Sequence, residues 1–192
     1  MPFNIPILLT WLRIVLIPLM IAIYYVPDSW IDWTGRDMAA MLVFVIAGVT
    51  DWLDGYLARR WNETSAFGAF LDPVADKLVV AAALIMLVQL GRLDAILAAI
   101  IIGREITISA LREWMAQIGA QKSVAVSMIG KIKTVAQMTS IPMLLYHAPI
   151  YGIDIQRLGT WLIYIAAVLT LWSMGYYMRM AWPHLAEHDK KR

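Results

Sequence analysis

The sequence predicts an all-α, polytopic membrane protein with six helical crossings. Three observations lead there. Of 192 residues, 61% are hydrophobic, and the mean hydropathy is +0.67; soluble domains sit nearer half apolar. Several apolar runs approach the roughly 20 residues that a membrane crossing needs. The basic residues fall unevenly between alternate connecting segments, as they do in proteins oriented across a bilayer.

The runs lie at roughly 6–26, 37–59, 67–90, 93–115, 127–147 and 155–179. Each is ended by turn-forming or polar residues. "VPDSWIDWTGRD" separates the first and second, "RRWNETSAFG" the second and third, and "LGRLD" the third and fourth. "AQIGAQKSVAVSMIGK" and "HAPIYGIDIQR" close the series. The first run lacks a basic leader and a small-residue cleavage site, and Arg13 interrupts it, so it reads as a retained span rather than a signal peptide. Residues 1–192 read as one membrane domain, without a soluble domain, low-complexity tract or internal repeat.

The absence of cysteine excludes disulfides and thiolate metal sites. A net charge of +2 is too small to point to nucleic acid. The placement of the basic residues says more. Arg59, Arg60, Arg112, Lys122, Lys131, Lys133, Arg179, Lys190, Lys191 and Arg192 fall on one side, and only Arg36, Arg92 and Arg157 on the other. The first side is therefore expected to be cytoplasmic, with both termini there. Trp61, Trp114 and Trp182 suit its aromatic belt, and Trp30 and Trp33 the outer one.

The stretch "TDWLDGYLARRWNETSAFGAFLDPVADK" carries four acids near the cytoplasmic ends of the second and third spans. Asp51 and Asp54 are three residues apart, Asp72 and Asp76 four, so each pair shares one helix face. A short connection makes the two helices antiparallel neighbours, and all four carboxylates are expected to converge. An Asp at the centre of a membrane helix costs roughly 2.5–3.5 kcal/mol on insertion scales. These lie shallower, but they also repel one another. Two divalent cations would balance them, and all-oxygen ligation favours Mg²⁺ or Mn²⁺. Paired metals recur in phosphoryl chemistry. The plainer alternative makes these acids interface charges or partners of Arg59, Arg60 and Lys77. Gly55, Ala58 and Gly68 lie between the acid pairs and suit either close approach of a ligand or helix packing through small residues.

The same residues carry a resemblance. Asp51, Asp54, Gly55, Ala58, Arg59, Gly68, Asp72 and Asp76 match the pattern D-x-x-D-G-x-x-A-R, eight residues, then G-x-x-x-D-x-x-x-D. This resembles the signature of the CDP-alcohol phosphotransferase family. "NIPILLTWLRIVLIP", "GREITISALREWMA" and "GKIKTVAQM" resemble the bacterial branch whose acceptor is sn-glycerol 3-phosphate. The segment after Ile150 reads as generic membrane helix.

The resemblance implies six helices around a polar cavity open to the cytoplasm, in a homodimer within a bacterial cytoplasmic membrane. It implies a two-metal site on Asp51, Asp54, Asp72 and Asp76, with Asp76 as general base. Gly55, Ala58 and Gly68 would let the cytidine nucleotide approach, and Arg59 would steady its phosphates or the neighbouring helix end. Asn4, Thr10 and Arg13, at the start of the first span, would lie near the nucleotide. Arg13 needs an anionic partner there, or else reaches the surface or a lipid phosphate. The implied reaction is attack by the acceptor's C1 hydroxyl on the lipid-linked phosphorus of CDP-diacylglycerol, with release of CMP. The acceptor's own phosphate needs a cationic pocket, for which Arg112, Lys131, Lys133 and Arg104 are the expected residues. Lys131 and Lys133 also suit simple membrane anchoring, and Arg104 with Glu105 a buried pair. Competing readings are another acceptor, namely inositol phosphate, serine or phosphatidylglycerol, and, more distantly, a divalent-cation transporter.

Overall fold

The computed structural model describes residues 5–61, 66–119 and 128–189, with the side chains of residues 5, 6, 58, 59, 66, 67, 69, 128, 129, 131 and 183–189 outside that description. The described residues form six α-helices and no β-strand. They are α1 (Ile5–Ala22), α2 (Trp33–Trp61), α3 (Ala66–Gln89), α4 (Ala95–Gln117), α5 (Met128–Tyr146) and α6 (Ile155–Asp189).

The starts of α2, α4 and α6 share one device. Asp32 accepts from the backbone N–H of Gly35 at 2.9 Å, Asp94 from Ile96 at 2.8 Å, and Asp154 from Arg157 at 2.9 Å. Each carboxylate satisfies a donor that the first helical turn leaves without a partner. The cap at Asp32 explains why α2 begins at Trp33, ahead of the expected start near residue 37. At the other extreme, α1 gives way to a 3-10 turn over Ile23–Tyr25, and Val26 is extended. Val26 precedes Pro27, and a residue before proline disfavours the helical region. α6 runs on to Asp189, past the expected end near 179.

Among the described residues, three helices are long and apolar enough to cross a membrane: Ile7–Tyr25, Trp33–Leu57 and Ile155–Trp182. α3, α4 and α5 carry charges inside their apolar runs, including Asp72, Asp76, Arg104, Glu105 and Lys133. Large apolar side chains face outward along the bundle, among them Leu8, Val15, Val49, Ile85, Ile106 and Val168. In water so much exposed apolar surface would drive association; against hydrocarbon it is the expected exterior.

The core is continuous through the bundle. Met20, Phe44, Leu84, Leu87, Ile101, Ile141, Leu144 and Ile163 meet at its centre, one or two from each helix. A smaller cluster of Ile108, Met115, Tyr177 and Ala181 joins α4 to α6. Gly159 lets α6 approach α5 closely, since a Cβ there would stand 3.0 Å from Met143 Cβ. α1 packs against both α2 and α3, whereas α2 and α3 meet each other only sparingly. The expected α2–α3 neighbourhood is thus largely mediated by α1.

A buried polar clasp closes one end of the bundle. Arg92, in the α3–α4 turn, donates to Asp37 Oδ2 on α2 at 2.8 Å and to the Leu145 carbonyl on α5 at 2.7 Å. Tyr24 donates to Asp37 Oδ1 at 3.2 Å. The candidate catalytic residues lie at the opposite end, with the start of α1, the end of α2 and the start of α3.

Candidate active site

The site starts from two residues of α1. Thr10 and Arg13 are three positions apart, so they share a helix face. Both are buried; Arg13 is 1% exposed. Arg13 Nη1 lies 2.7 Å from Asp51 Oδ1, and Nη2 donates to Asp54 Oδ2. Thr10 Oγ1 donates to Asp72 Oδ1 at 2.5 Å. Arg13 therefore finds its anionic partners inside the protein, and the acids of α2 and α3 are gathered onto α1.

The four acids differ in exposure. Asp54 is buried at 4%, the Asp51 side chain is 45% exposed, Asp72 is half-buried and Asp76 is exposed. Asp54 lies within electrostatic reach of Asp51 and Asp72, and Asp76 within reach of Asp51, Arg13 and Glu105. The close convergence expected of all four is not seen. Among the described residues, no group of three acidic, histidine or cysteine side chains is close enough to hold one ion. The guanidinium of Arg13 bridges Asp51 and Asp54 and balances part of their repulsion.

The donor chemistry nevertheless fits divalent cations. Arg13 and Thr10 engage one oxygen each of Asp51, Asp54 and Asp72, and the second oxygens have no other side-chain partner among the described residues. Four carboxylates against one guanidinium leave an anionic excess in apolar surroundings, and the donors are all hard oxygens. Of the alternative counter-ions, the side chains of Arg60 and Lys77 are described, and Lys77 lies within electrostatic reach of Asp76. Arg60 donates to Tyr56 Oη at 2.8 Å, and Lys77 Nζ to the Pro73 carbonyl at 3.0 Å. Of the small residues, Gly68 is buried and Gly55 partly so. Asn4 lies outside the described residues, as do the side chains of Ala58, Arg59 and Lys131.

A cationic cluster stands beside the acids. Lys133, 2% exposed, donates through Nζ to Glu105 Oε1. Arg104 is buried, reaches Glu105 Oε1 at 3.4 Å and donates to Ser173 Oγ at 3.0 Å. The Arg104 and Arg112 guanidinium carbons lie 5.8 and 5.2 Å from the Tyr177 ring centroid, and Arg112 also donates to the Tyr177 hydroxyl at 3.3 Å. Two cations, Arg104 and Lys133, share the single carboxylate of Glu105, and Arg112 stands near both. The Nε donors of Arg104 and Arg112 and the Gln137 Oε1 acceptor are buried without hydrogen-bond partners. Buried donors left in this state are costly unless an acceptor arrives. The arrangement suits an anion. Arg112 also borders a cleft of about 650 Å³ between α3 and α4, whose walls include Phe70, Val74, Lys77 and Ile106.

The structure thus brings Asp51, Asp54 and Asp72 together through Thr10 and Arg13, and Arg104, Arg112 and Lys133 through Glu105 and Tyr177. Sequence reasoning missed Ser173 and Tyr177 by treating the last span as generic. A signal was present: Thr170, Ser173 and Tyr177 are buried polar residues at spacings of three and four, one polar stripe in an apolar helix.

Comparison with known proteins adds a second line. The family described as CDP-alcohol phosphatidyltransferase matches residues 3–172. The CDP-diacylglycerol–glycerol-3-phosphate 3-phosphatidyltransferase of Escherichia coli (strain K12) is 50% identical over 183 residues, covering 94% of this chain and 96% of that protein. The protein of the same name from Shigella flexneri serotype 5b gives the same figures, and that from Salmonella choleraesuis is 49% identical over the same share. With the complete acid signature, a match over most of the chain and relatives at half identity, this chain belongs to the CDP-alcohol phosphatidyltransferase family.

Proposed function

We propose that the chain transfers the phosphatidyl group of CDP-diacylglycerol to sn-glycerol 3-phosphate, giving phosphatidylglycerol phosphate and CMP in phospholipid biosynthesis. The observation that carries this reading is the 50% identity, over 94% of the chain, to enzymes named for that activity. Members of the family generally depend on divalent metal ions. Asp51, Asp54, Asp72 and Asp76 would hold two of them, Mg²⁺ or Mn²⁺. When bound, such ions neutralise pyrophosphate charge and stabilise the leaving oxygen.

The protein's own groups supply the rest. The C1 hydroxyl oxygen of the acceptor forms a bond to the lipid-linked phosphorus, the bond from that phosphorus to the CMP oxygen breaks, and the hydroxyl proton passes to Asp76. The exposure of Asp76 supports that role, because a base must come within hydrogen-bond reach of the incoming hydroxyl. Arg104, Arg112, Lys131 and Lys133 hold the acceptor's phosphate. The support is the surplus of cations around Glu105 and the two Nε donors without partners. A phosphorylated acceptor uses such a pocket; serine does not. Gly55, Ala58, Arg59, Gly68 and Asn4 border the nucleotide.

The membrane arrangement belongs to the same reading. One domain crosses a bacterial cytoplasmic membrane six times as a homodimer, with both termini and a polar cavity on the cytoplasmic side. Separation of Arg60, Arg112 and Lys133 from Arg36, Arg92 and Arg157 at opposite helix ends supports this orientation.

The test is CMP release from CDP-diacylglycerol by the purified chain with Mg²⁺ or Mn²⁺, one alcohol at a time. Release with sn-glycerol 3-phosphate alone is expected. Release with inositol phosphate, serine or phosphatidylglycerol instead would reassign the acceptor, and none with any alcohol would contradict the reaction.

A further inference from the structure

We infer that Thr10 and Arg13 are positioning residues for the acidic site rather than contacts to the nucleotide. α1 acts as a comb that holds one oxygen of each of three carboxylates and leaves the other for the ions that these acids would bind. The inference rests on the metal site of the proposed function and goes beyond it. Thr10 engages Asp72 Oδ1, and Arg13 spans Asp51 Oδ1 and Asp54 Oδ2. These three contacts come from one face of one helix and reach two others. They leave Asp51 Oδ2, Asp54 Oδ1 and Asp72 Oδ2 without another side-chain partner among the described residues. Hydrogen-bonding an outer oxygen fixes the rotamer of a ligating carboxylate, and loss of such partners costs about 10–100-fold in metal affinity.

Burial argues the same way. A residue that binds a departing product must be reachable from the cavity, whereas Thr10 and Arg13 are each 1% exposed. Arg13 Nη2 donates to Asp54 Oδ2 and Nη1 lies at ion-pair distance from Asp51 Oδ1, so both terminal nitrogens face carboxylates, although Nη1 and Nε make no hydrogen bond among the described residues. Its charge has a second effect. It lowers the repulsion among the acids while no ion is bound, which lets the site fold in an apolar setting without closing into a cage. A lysine at this position would keep the charge and lose the span across two carboxylates.

The test is Mn²⁺ binding to the full-length chain in detergent, read from the free-ion electron paramagnetic resonance signal, alongside CDP-diacylglycerol kinetics at saturating Mn²⁺. Thr10→Val removes the hydroxyl without changing charge and is expected to weaken Mn²⁺ binding about tenfold. Thr10→Ser restores the hydroxyl and is expected to stay within about twofold of the parent, which separates positioning from packing. Arg13→Lys is expected to weaken Mn²⁺ binding while leaving the KM for CDP-diacylglycerol at saturating Mn²⁺ unchanged. Parental Mn²⁺ affinity in Thr10→Val and Arg13→Lys, with a raised KM for CDP-diacylglycerol, overturns the inference and returns both residues to the nucleotide. If the parent chain itself binds no Mn²⁺, or Asp72→Ala binds it as the parent does, the metal site falls first and this inference with it.

Discussion

Arg13 and Asp54 form a buried ion pair between α1 and α2, with the guanidinium 1% and the aspartate 4% exposed. Removing one partner of such a pair leaves the other charged in a poor solvent, at a cost of about 3–5 kcal/mol. Arg13→Met is therefore expected to lower the unfolding temperature of the detergent-solubilised protein sharply. The double variant Arg13→Met/Asp54→Asn is expected to recover part of the loss. Equal destabilisation in the single and double variants would show that the pair is not coupled.

The ring of Tyr177 holds two guanidinium groups at once. Cation–π contacts contribute about 0.5–2 kcal/mol each. Tyr177→Leu is expected to let Arg104 and Arg112 shift, raising the KM for sn-glycerol 3-phosphate by about tenfold on that scale. Tyr177→Phe keeps the ring and loses only the hydroxyl contact with Arg112, so its effect is expected to be smaller. A steady-state comparison of the two variants decides whether the ring or the hydroxyl matters.

Arg112 has a buried Nε without a partner and borders both Tyr177 and the α3–α4 cleft. Arg112→Ala is expected to raise the KM for sn-glycerol 3-phosphate while leaving that for CDP-diacylglycerol near its parental value. A rise in the lipid KM alone would remove Arg112 from the acceptor pocket.

The Arg92–Asp37 clasp is expected to behave differently, because it lies at the far end of the bundle. Arg92→Met frees a buried carboxylate and two backbone carbonyls, each hydrogen bond to a charged group contributing about 1.5–3 kcal/mol. Thermal unfolding should begin earlier, with kcat and both KM values of the folded fraction unchanged. A selective change in either KM would tie this end of the protein to the site.

Much of this architecture was legible in the residues. Apolar runs and turn residues located all six helices, and the spacings of Asp51, Asp54, Asp72 and Asp76 placed each pair on one helix face. What escaped was chosen by tertiary packing. Chain proximity made α2 and α3 neighbours, and it did not show that α1 packs against both, with Arg13 and Thr10 engaging acids of each. The start of α2 was set by a local side-chain cap at Asp32 that hydrophobic periodicity does not register. The polar stripe of α6 was written in Thr170, Ser173 and Tyr177, and its meaning depended on Arg104 and Arg112, far away in sequence.

The central claim is that the acids of α2 and α3 serve phosphatidyl transfer through bound divalent ions. CMP release by Asp72→Ala, in the presence of CDP-diacylglycerol, sn-glycerol 3-phosphate and Mn²⁺, tests it most directly. The account predicts that release falls to background while the protein still inserts into membranes at parental levels. Release near the parental rate would contradict it.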